Sequence, residues 1–219
     1  MKTNTAKNRI MTAIFAIFAV LLIISGSIAL PIYIRPFYYA HIEPLELVEK
    51  TNKSEVEIKA AYDEILDYLT IPGGEFGAGS FKYSEEGKSH FGDCKGLFLF
   101  DTAVLIISIA AVVTLGILAK KKVFELCTPF NRHVLFTAGV SVLGLFSAIA
   151  LIAAVDFDRA FTVFHTLFFP GKDNWIFDPR TDEIILALPQ TFFMNCAILI
   201  VSAIIIASAS CILFGRKKK

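Results

Sequence analysis

The chain has 219 residues, 55% of them hydrophobic and 19% charged, with a formal net charge of +1. Soluble domains of this size carry roughly 45–50% apolar residues or fewer. The composition therefore excludes an ordinary soluble domain, and no nucleic-acid partner is expected.

Four stretches are long and nearly uncharged: Ile10–Leu30, Thr102–Ala119, His133–Val155 and Thr191–Gly215. A helix needs about 20 residues to cross the hydrocarbon core, which the second stretch reaches by extending back to Leu97. The first stretch could also be read as a secretory signal, with Lys2–Arg9 as its basic region and Ser27-Ile28-Ala29 as a small-x-small site. Its apolar run is longer than such signals use, so we read it as a span. Behind it, Tyr33, Tyr38 and Tyr39 suit the aromatic belt of a membrane interface.

The segment Ser54–Leu69 reads as a helix. Ser54 and Glu57 form a capping box, and Ile58, Ala61, Ile65 and Leu69 recur at helical spacing. Pro72-Gly73-Gly74 ends it. The glycines that follow, up to Gly79, lack the spacing of a phosphate loop and read as a flexible turn. Next, FKYSEEGKSHFGDCKGLF leads into the second span. A helix from about Glu85 puts Glu86, His90, Asp93 or Cys94, and Leu97 on one face.

After the third span, Phe157, Phe161, Phe164 and Phe168 recur at helical spacing with His165 at the stripe's edge. Such a helix lies in the interface, its aromatic side toward lipid or toward the other outer segment. Pro170-Gly171 breaks it. Asp178-Pro179 and Leu188-Pro189 punctuate the return to the membrane. In the last span Ala203, Ala207 and Cys211 are spaced four apart, as are Gly144 and Ala148, and small residues let helices approach closely. Asp101 falls at the outer end of its span.

Charge sets the orientation. Lys2, Lys7, Arg9, Lys120, Lys121, Lys122, Arg132, Arg216, Lys217, Lys218 and Lys219 share one side with a single acid, Glu125. Eighteen of the remaining acids lie in segments 31–96 and 156–190, on the other side. The basic side is cytoplasmic by the positive-inside rule. The expectation is an all-α integral membrane protein forming one membrane domain over residues 1–219, with spans near 10–30, 97–119, 133–155 and 191–215. Both termini are inside, and an extracytoplasmic cap is built from outer segments 31–96 and 156–190.

Three of the four histidines, His41, His90 and His165, fall outside, while His133 sits at the cytoplasmic edge. His90 and His165 each lie within about a dozen residues of a span, at headgroup depth, where they could meet. Histidine is the usual acid or base near neutral pH, although a lone outer histidine is more often a hydrogen-bonded surface group. No GxSxG, HExxH or CxxC spacing occurs. Cys94 is the only outer cysteine, so a disulfide framework is not expected. Neither a metal nor a cofactor is expected.

The stretch FHTLFFPGKDNWIFDPRTDEIILALPQTFF resembles the lipoprotein intramolecular transacylase family (Lit) of Gram-positive bacteria. EEGKSHFGDCKGLF is similar to that family's histidine segment, in which Asp and Lys follow the histidine at +3 and +5; here these are His90, Asp93 and Lys95. Cys94 departs from the small aliphatic residue expected there. The resemblance implies a cell-membrane enzyme with an extracellular site. It would move an acyl chain from the sn-2 ester of a lipoprotein diacylglyceryl group to the α-amino group of the lipoprotein's N-terminal cysteine. It implies His90 and His165 as the catalytic pair, Asp93, Lys95 and Trp175 in supporting or substrate-binding roles, and a diacylglyceryl lipoprotein and membrane lipid as partners. The competing readings are a non-catalytic four-span accessory or receptor protein and a metal-dependent outer-face hydrolase.

Overall fold

The computed structural model describes residues 5–129 and 132–216. Lys2 and Lys217–Lys219 of the basic count lie outside the described residues. Among the described residues there are helices and no strand. In chain order the helices are α1 (Ala6–Tyr33), α2 (Arg35–Tyr39), α3 (Leu47–Thr51), α4 (Glu55–Thr70), α5 (Glu85–Lys120), α6 (Val134–Val155), α7 (Phe157–Phe168), α8 (Ile184–Ala187) and α9 (Gln190–Gly215). Helices α1, α5, α6 and α9 are long and apolar enough to cross a membrane. The chain divides into two compact units.

The first unit comprises Met1–Ala29, Thr102–Ile152 and Leu199–Lys219. Its apolar side chains pack in two clusters, one around Phe15, Leu115, Phe124 and Val134, the other around Ile23, Val142 and Ile204. Leu151, Ile152 and Ile206 are about 70% exposed, as a lipid-facing surface requires. Helices α6 and α9 meet at Gly139, where a Cβ would lie 2.7 Å from the Ser208 carbonyl oxygen. That is the close approach small residues permit. Gly144, which the sequence pattern singled out, has open space around it. The start of α1 fastens the α5–α6 connection: Lys7 Nζ donates to Val123 O, Glu125 N to Asn8 Oδ1, and Cys127 N to Thr12 Oγ1, at 3.0, 3.1 and 2.9 Å.

The second unit comprises Leu30–Asp101 and Ala153–Ile198. Its core gathers Tyr38, Leu47, Ile58, Ile65, Phe91, Ile184 and Phe192. The apolar stripe of α4 is buried here, and the Ser54–Glu57 capping box is formed at its N-terminus. Tyr38 stacks on Tyr62 at 3.7 Å and donates its hydroxyl to Ala187 O at 2.8 Å. That bond satisfies the one polar atom such a ring brings into a core. The glycine-rich stretch after α4 is tied rather than loose. Gly79 N donates to Glu64 Oε2 at 2.6 Å, and a Cβ at Gly77 would lie 2.1 Å from the same carboxylate. The turn closes around a side chain of α4, a contact that its composition does not encode.

Candidate active site

Helix α5 begins where Ser84 caps it. Gly87 N donates to Ser84 Oγ at 2.9 Å, and Glu85 and Glu86 place negative charge at the helix's positive end. The cap is itself held by a buried acid of the second outer segment, Asp182, 4% exposed. Asp182 Oδ1 accepts from Ser84 N and Ser84 Oγ at 2.8 and 2.9 Å, and Oδ2 accepts from Thr181 Oγ1 at 2.9 Å. Beside it, Glu183 pairs with Lys82 at 3.1 Å. His90 therefore projects from a helix whose start is fixed to the return limb of the other segment.

Helix α7 carries the second histidine. Asp156 caps it, accepting from Arg159 N at 2.9 Å, and Gly171, at φ +73, permits the turn after its last residue. The helix is two-sided, but not as the phenylalanine stripe suggests. Phe161, His165 and Phe169 face inward, while Phe164 and Phe168 are each 47% exposed beside Val163 and Leu167. The four-residue recurrence that matters includes the histidine.

These elements bring His90 and His165 together. Both are buried, at 6% and 8% exposure, with ring centroids 5.7 Å apart. Trp175 stacks on His165 at 4.6 Å and is fixed by its indole N–H, which donates to Lys172 O at 3.1 Å. Phe161 lies 4.2 Å from His165, and Phe169 and Phe177 lie 4.9 and 5.6 Å from His90. This aromatic enclosure sets the electrostatics. Burial first, then the neighbouring His165, pushes the His90 imidazolium down to about 4 against the pull of Asp93. Burial also lowers His165. Both rings are neutral at pH 7, the form that can accept a proton. His90 precedes the apolar run of α5 that starts at Leu97.

The hydrogen bonds of the two rings differ. His165 Nδ1 lies 2.8 Å from Phe161 O. A carbonyl only accepts, so Nδ1 carries the proton and Nε2 keeps a free lone pair. His90 Nε2 lies 3.4 Å from Cys94 Sγ, whereas His90 Nδ1 is buried with no partner among the described residues. Burial pushes the Cys94 thiol up to about 12, so its proton stays on sulfur.

Asp93 faces the same cluster, but its partners are unforeseen. Lys172 pairs with it at 2.5 Å, and Asn174 Nδ2 donates to it at 3.1 Å. Lys95, five residues after His90, is directed elsewhere: it donates to Gly73 O and lies over the Tyr68 ring at 4.1 Å. Lys172 and Asn174 immediately precede Trp175 in KDNW, and the one sequence signal for them is that an acid on the first segment needs a cation on the second. His41 Nδ1 donates to Phe37 O at 2.6 Å, and the ring packs on Phe37 and Phe192. Among the described residues, no group of three or more His, Cys, Asp or Glu side chains could hold a metal ion.

The sequence model described as lipoprotein intramolecular transacylase Lit matches residues 13–193. A comparison with curated proteins gives no match. The fold is similar to the membrane integral lipoprotein intramolecular transacylase Lit from Bacillus cereus, with a TM-score of 0.85 at 29% identity, covering 96% of this chain and 94% of that one. Two variants of that protein, one with a histidine replaced by arginine and one by alanine, match at a TM-score of 0.78 and 28% identity. They cover 96% of this chain and 91% and 92% of theirs.

Proposed function

The chain belongs to the lipoprotein intramolecular transacylase Lit family, and on that premise we propose that His90 and His165 carry an O-to-N acyl transfer within one lipoprotein. The acyl chain leaves the sn-2 ester of the diacylglyceryl group and ends on the α-amino group of the N-terminal cysteine, giving the lyso form. The observation that carries the catalytic assignment is the pair of buried, neutral imidazoles with centroids 5.7 Å apart. The nucleophile belongs to the substrate, so the enzyme needs no serine or cysteine of its own. Both reacting groups sit on one molecule, which removes most of the entropic cost of their meeting.

The tautomers divide the work. His165 Nε2, with its free lone pair, takes the proton from the α-amine as the N–C bond forms. His90, its Nε2 facing the Cys94 thiol, presents Nδ1–H to the developing oxyanion. When the C–O bond breaks, imidazolium His165 returns the proton to the glycerol oxygen, leaving an amide and a free sn-2 hydroxyl. Trp175 holds the His165 ring in plane. Asp93 organises Lys172 and Asn174 beside His90. Lys95 fixes the loop at Gly73 rather than contacting substrate. The test is mass spectrometry of a lipoprotein co-expressed with the protein. An N-acyl cysteine with a monoacylglyceryl group is the expected product; a diacylglyceryl cysteine with a free α-amine would refute the reading.

The low pKa of both histidines gives a pH prediction. An α-amino group ionises near 8, so the transfer rate should rise with pH through that region as the amine loses its proton. Any histidine inflection should fall below the ordinary value of 6.5, since burial lowers His165 and pushes His90 down to about 4. Purified enzyme and a synthetic lipopeptide suffice to measure this, and an inflection near 6.5 would put an unshifted histidine in control. The stability linkage has the matching sign. The contribution of neutral His90 is complete above 6.5 and is lost as pH falls toward 4.

The proposed site opens on the extracellular face, with both termini in the cytoplasm, on the strength of the basic excess beside the spans. A reporter fused after Lys219 should respond as a cytoplasmic one; a response from outside would reverse the assignment.

A further inference from the structure

Asn174 is in an unusual position for an amide. Its Nδ2 donates to Asp93 Oδ2 at 3.1 Å and lies 3.4 Å from Ser89 Oγ. Its Oδ1 is buried with no hydrogen-bond partner among the described residues. The orientation is forced. Although partial burial works against it, Asp93 is held below the usual carboxylate range by its bonds from Lys172 and Asn174, so it is ionised and only accepts. Turning the amide over would set two oxygens against each other. The carbonyl oxygen must therefore point away from Asp93, into surroundings that offer it no donor. A buried acceptor left unpaired is destabilising, and such groups are few in folded proteins.

A second atom of the same cluster shares this state. His90, one residue after Ser89 and three before Asp93, has its Nδ1 buried and unpartnered. Asn174 also adjoins Trp175, which stacks on His165. The unmade bonds thus occur where the reaction proposed above takes place, and one of them is an oxygen that can only accept. The α-amino group of the substrate is protonated near neutral pH and brings three N–H donors. An acceptor that binds it, without a negative charge to hold its proton in place, would position it while leaving it free to lose that proton. Asp93 cannot serve this way, since Lys172 and Asn174 occupy its oxygens.

We propose that Asn174 Oδ1 is the acceptor that binds the substrate's α-amino group and aims its lone pair at the ester. This rests on the transacylase reading above and adds to it the residue that recognises the free amino terminus. Asn174 thereby selects against lipoproteins whose N-terminal cysteine is already acylated, because a secondary amide offers one weak donor and no charge.

The test uses the purified full-length enzyme, a diacylglyceryl lipopeptide with a free α-amine as substrate, and its desamino analogue as a competitive inhibitor. In Asn174→Ala the KM for the amine substrate should rise about tenfold, the loss of one hydrogen bond to a charged donor. The inhibition constant of the desamino analogue should stay at its wild-type value. Asn174→Asp keeps an acceptor and should hold KM within about threefold of wild type, although it places a carboxylate beside Asp93. A purely structural role predicts otherwise, with Asn174→Asp the worse variant and both ligands weakened alike. That pattern, or an unchanged KM in Asn174→Ala, would overturn the inference while leaving the transacylase reading standing. A wild-type enzyme that transfers no acyl chain to the amine would bring down both.

Discussion

His90→Ala and His165→Ala should each reduce conversion of a diacylglyceryl lipoprotein to its lyso form by about 10²–10⁴-fold, the range general acid–base catalysis supplies. The two ring centroids lie 5.7 Å apart, so in the proposed mechanism they act on one tetrahedral centre. Loss of the His165 lone pair leaves the attacking amine with its proton; loss of the His90 N–H leaves the oxyanion unsupported. Because the residues act as a unit, the double variant should be little worse than either single one. His41→Ala is the control: that ring packs on Phe37 and Phe192, and its removal should have a much smaller effect. Each variant must still insert and accumulate. A single histidine variant that retains near-normal conversion would remove that residue from the mechanism, and a double variant with multiplicative loss would mean the two act in separate steps.

Gly87→Ala should be nearly as damaging, though it touches no reacting group. A Cβ at this position would lie 2.1 Å from Asp182 Oδ1 and 3.1 Å from the carboxylate carbon. The carboxylate cannot retreat cheaply, since it is buried and holds Ser84 N, Ser84 Oγ and Thr181 Oγ1. Either α5 shifts or the acid is expelled from the helix start. Overpacking of this kind costs ~1–3 kcal/mol. The larger effect is on catalysis, because His90 is one turn further along the same helix, and misplacement by ~1 Å can cost ~10²-fold. Asp182→Ala should act in the same direction by releasing the cap. Asp182→Asn should be milder, since an amide oxygen can still accept from Ser84 N and the hydroxyls can turn toward the amide. Thermal unfolding and lipopeptide turnover measured together provide the check. Full activity in Gly87→Ala would show that the helix start tolerates displacement and that His90 is positioned from elsewhere.

The long apolar runs, the Ser54–Glu57 cap and the break at Pro170-Gly171 are local events, and local chemistry makes them readable in the sequence. The histidines were conspicuous for a different reason, in that each lies close to an apolar span. What could not be read was pairing at long range. Lys95 sits two residues from Asp93, and the resemblance gave both supporting roles. In a helix, however, residues two apart diverge, and Lys95 meets Gly73 while Asp93 meets Lys172, 79 residues on. The same limit hid Asp182, whose task is to receive the start of a helix 98 residues earlier. The phenylalanine spacing in α7 marked an amphipathic helix but left its inner face open, toward lipid or toward the other outer segment. Hydrophobicity alone ranks Phe164 and Phe168 above His165, whereas the fold turns them outward and buries the imidazole.

The protein has one tryptophan, and it is stacked on His165 with its indole N–H bound to the backbone. Light absorbed selectively by indole is therefore absorbed at the site and nowhere else in the molecule. A protonated imidazole in contact with an indole quenches its emission, and a neutral one does so far less. The intrinsic fluorescence of the unlabelled protein thus becomes an optical record of the charge on one histidine.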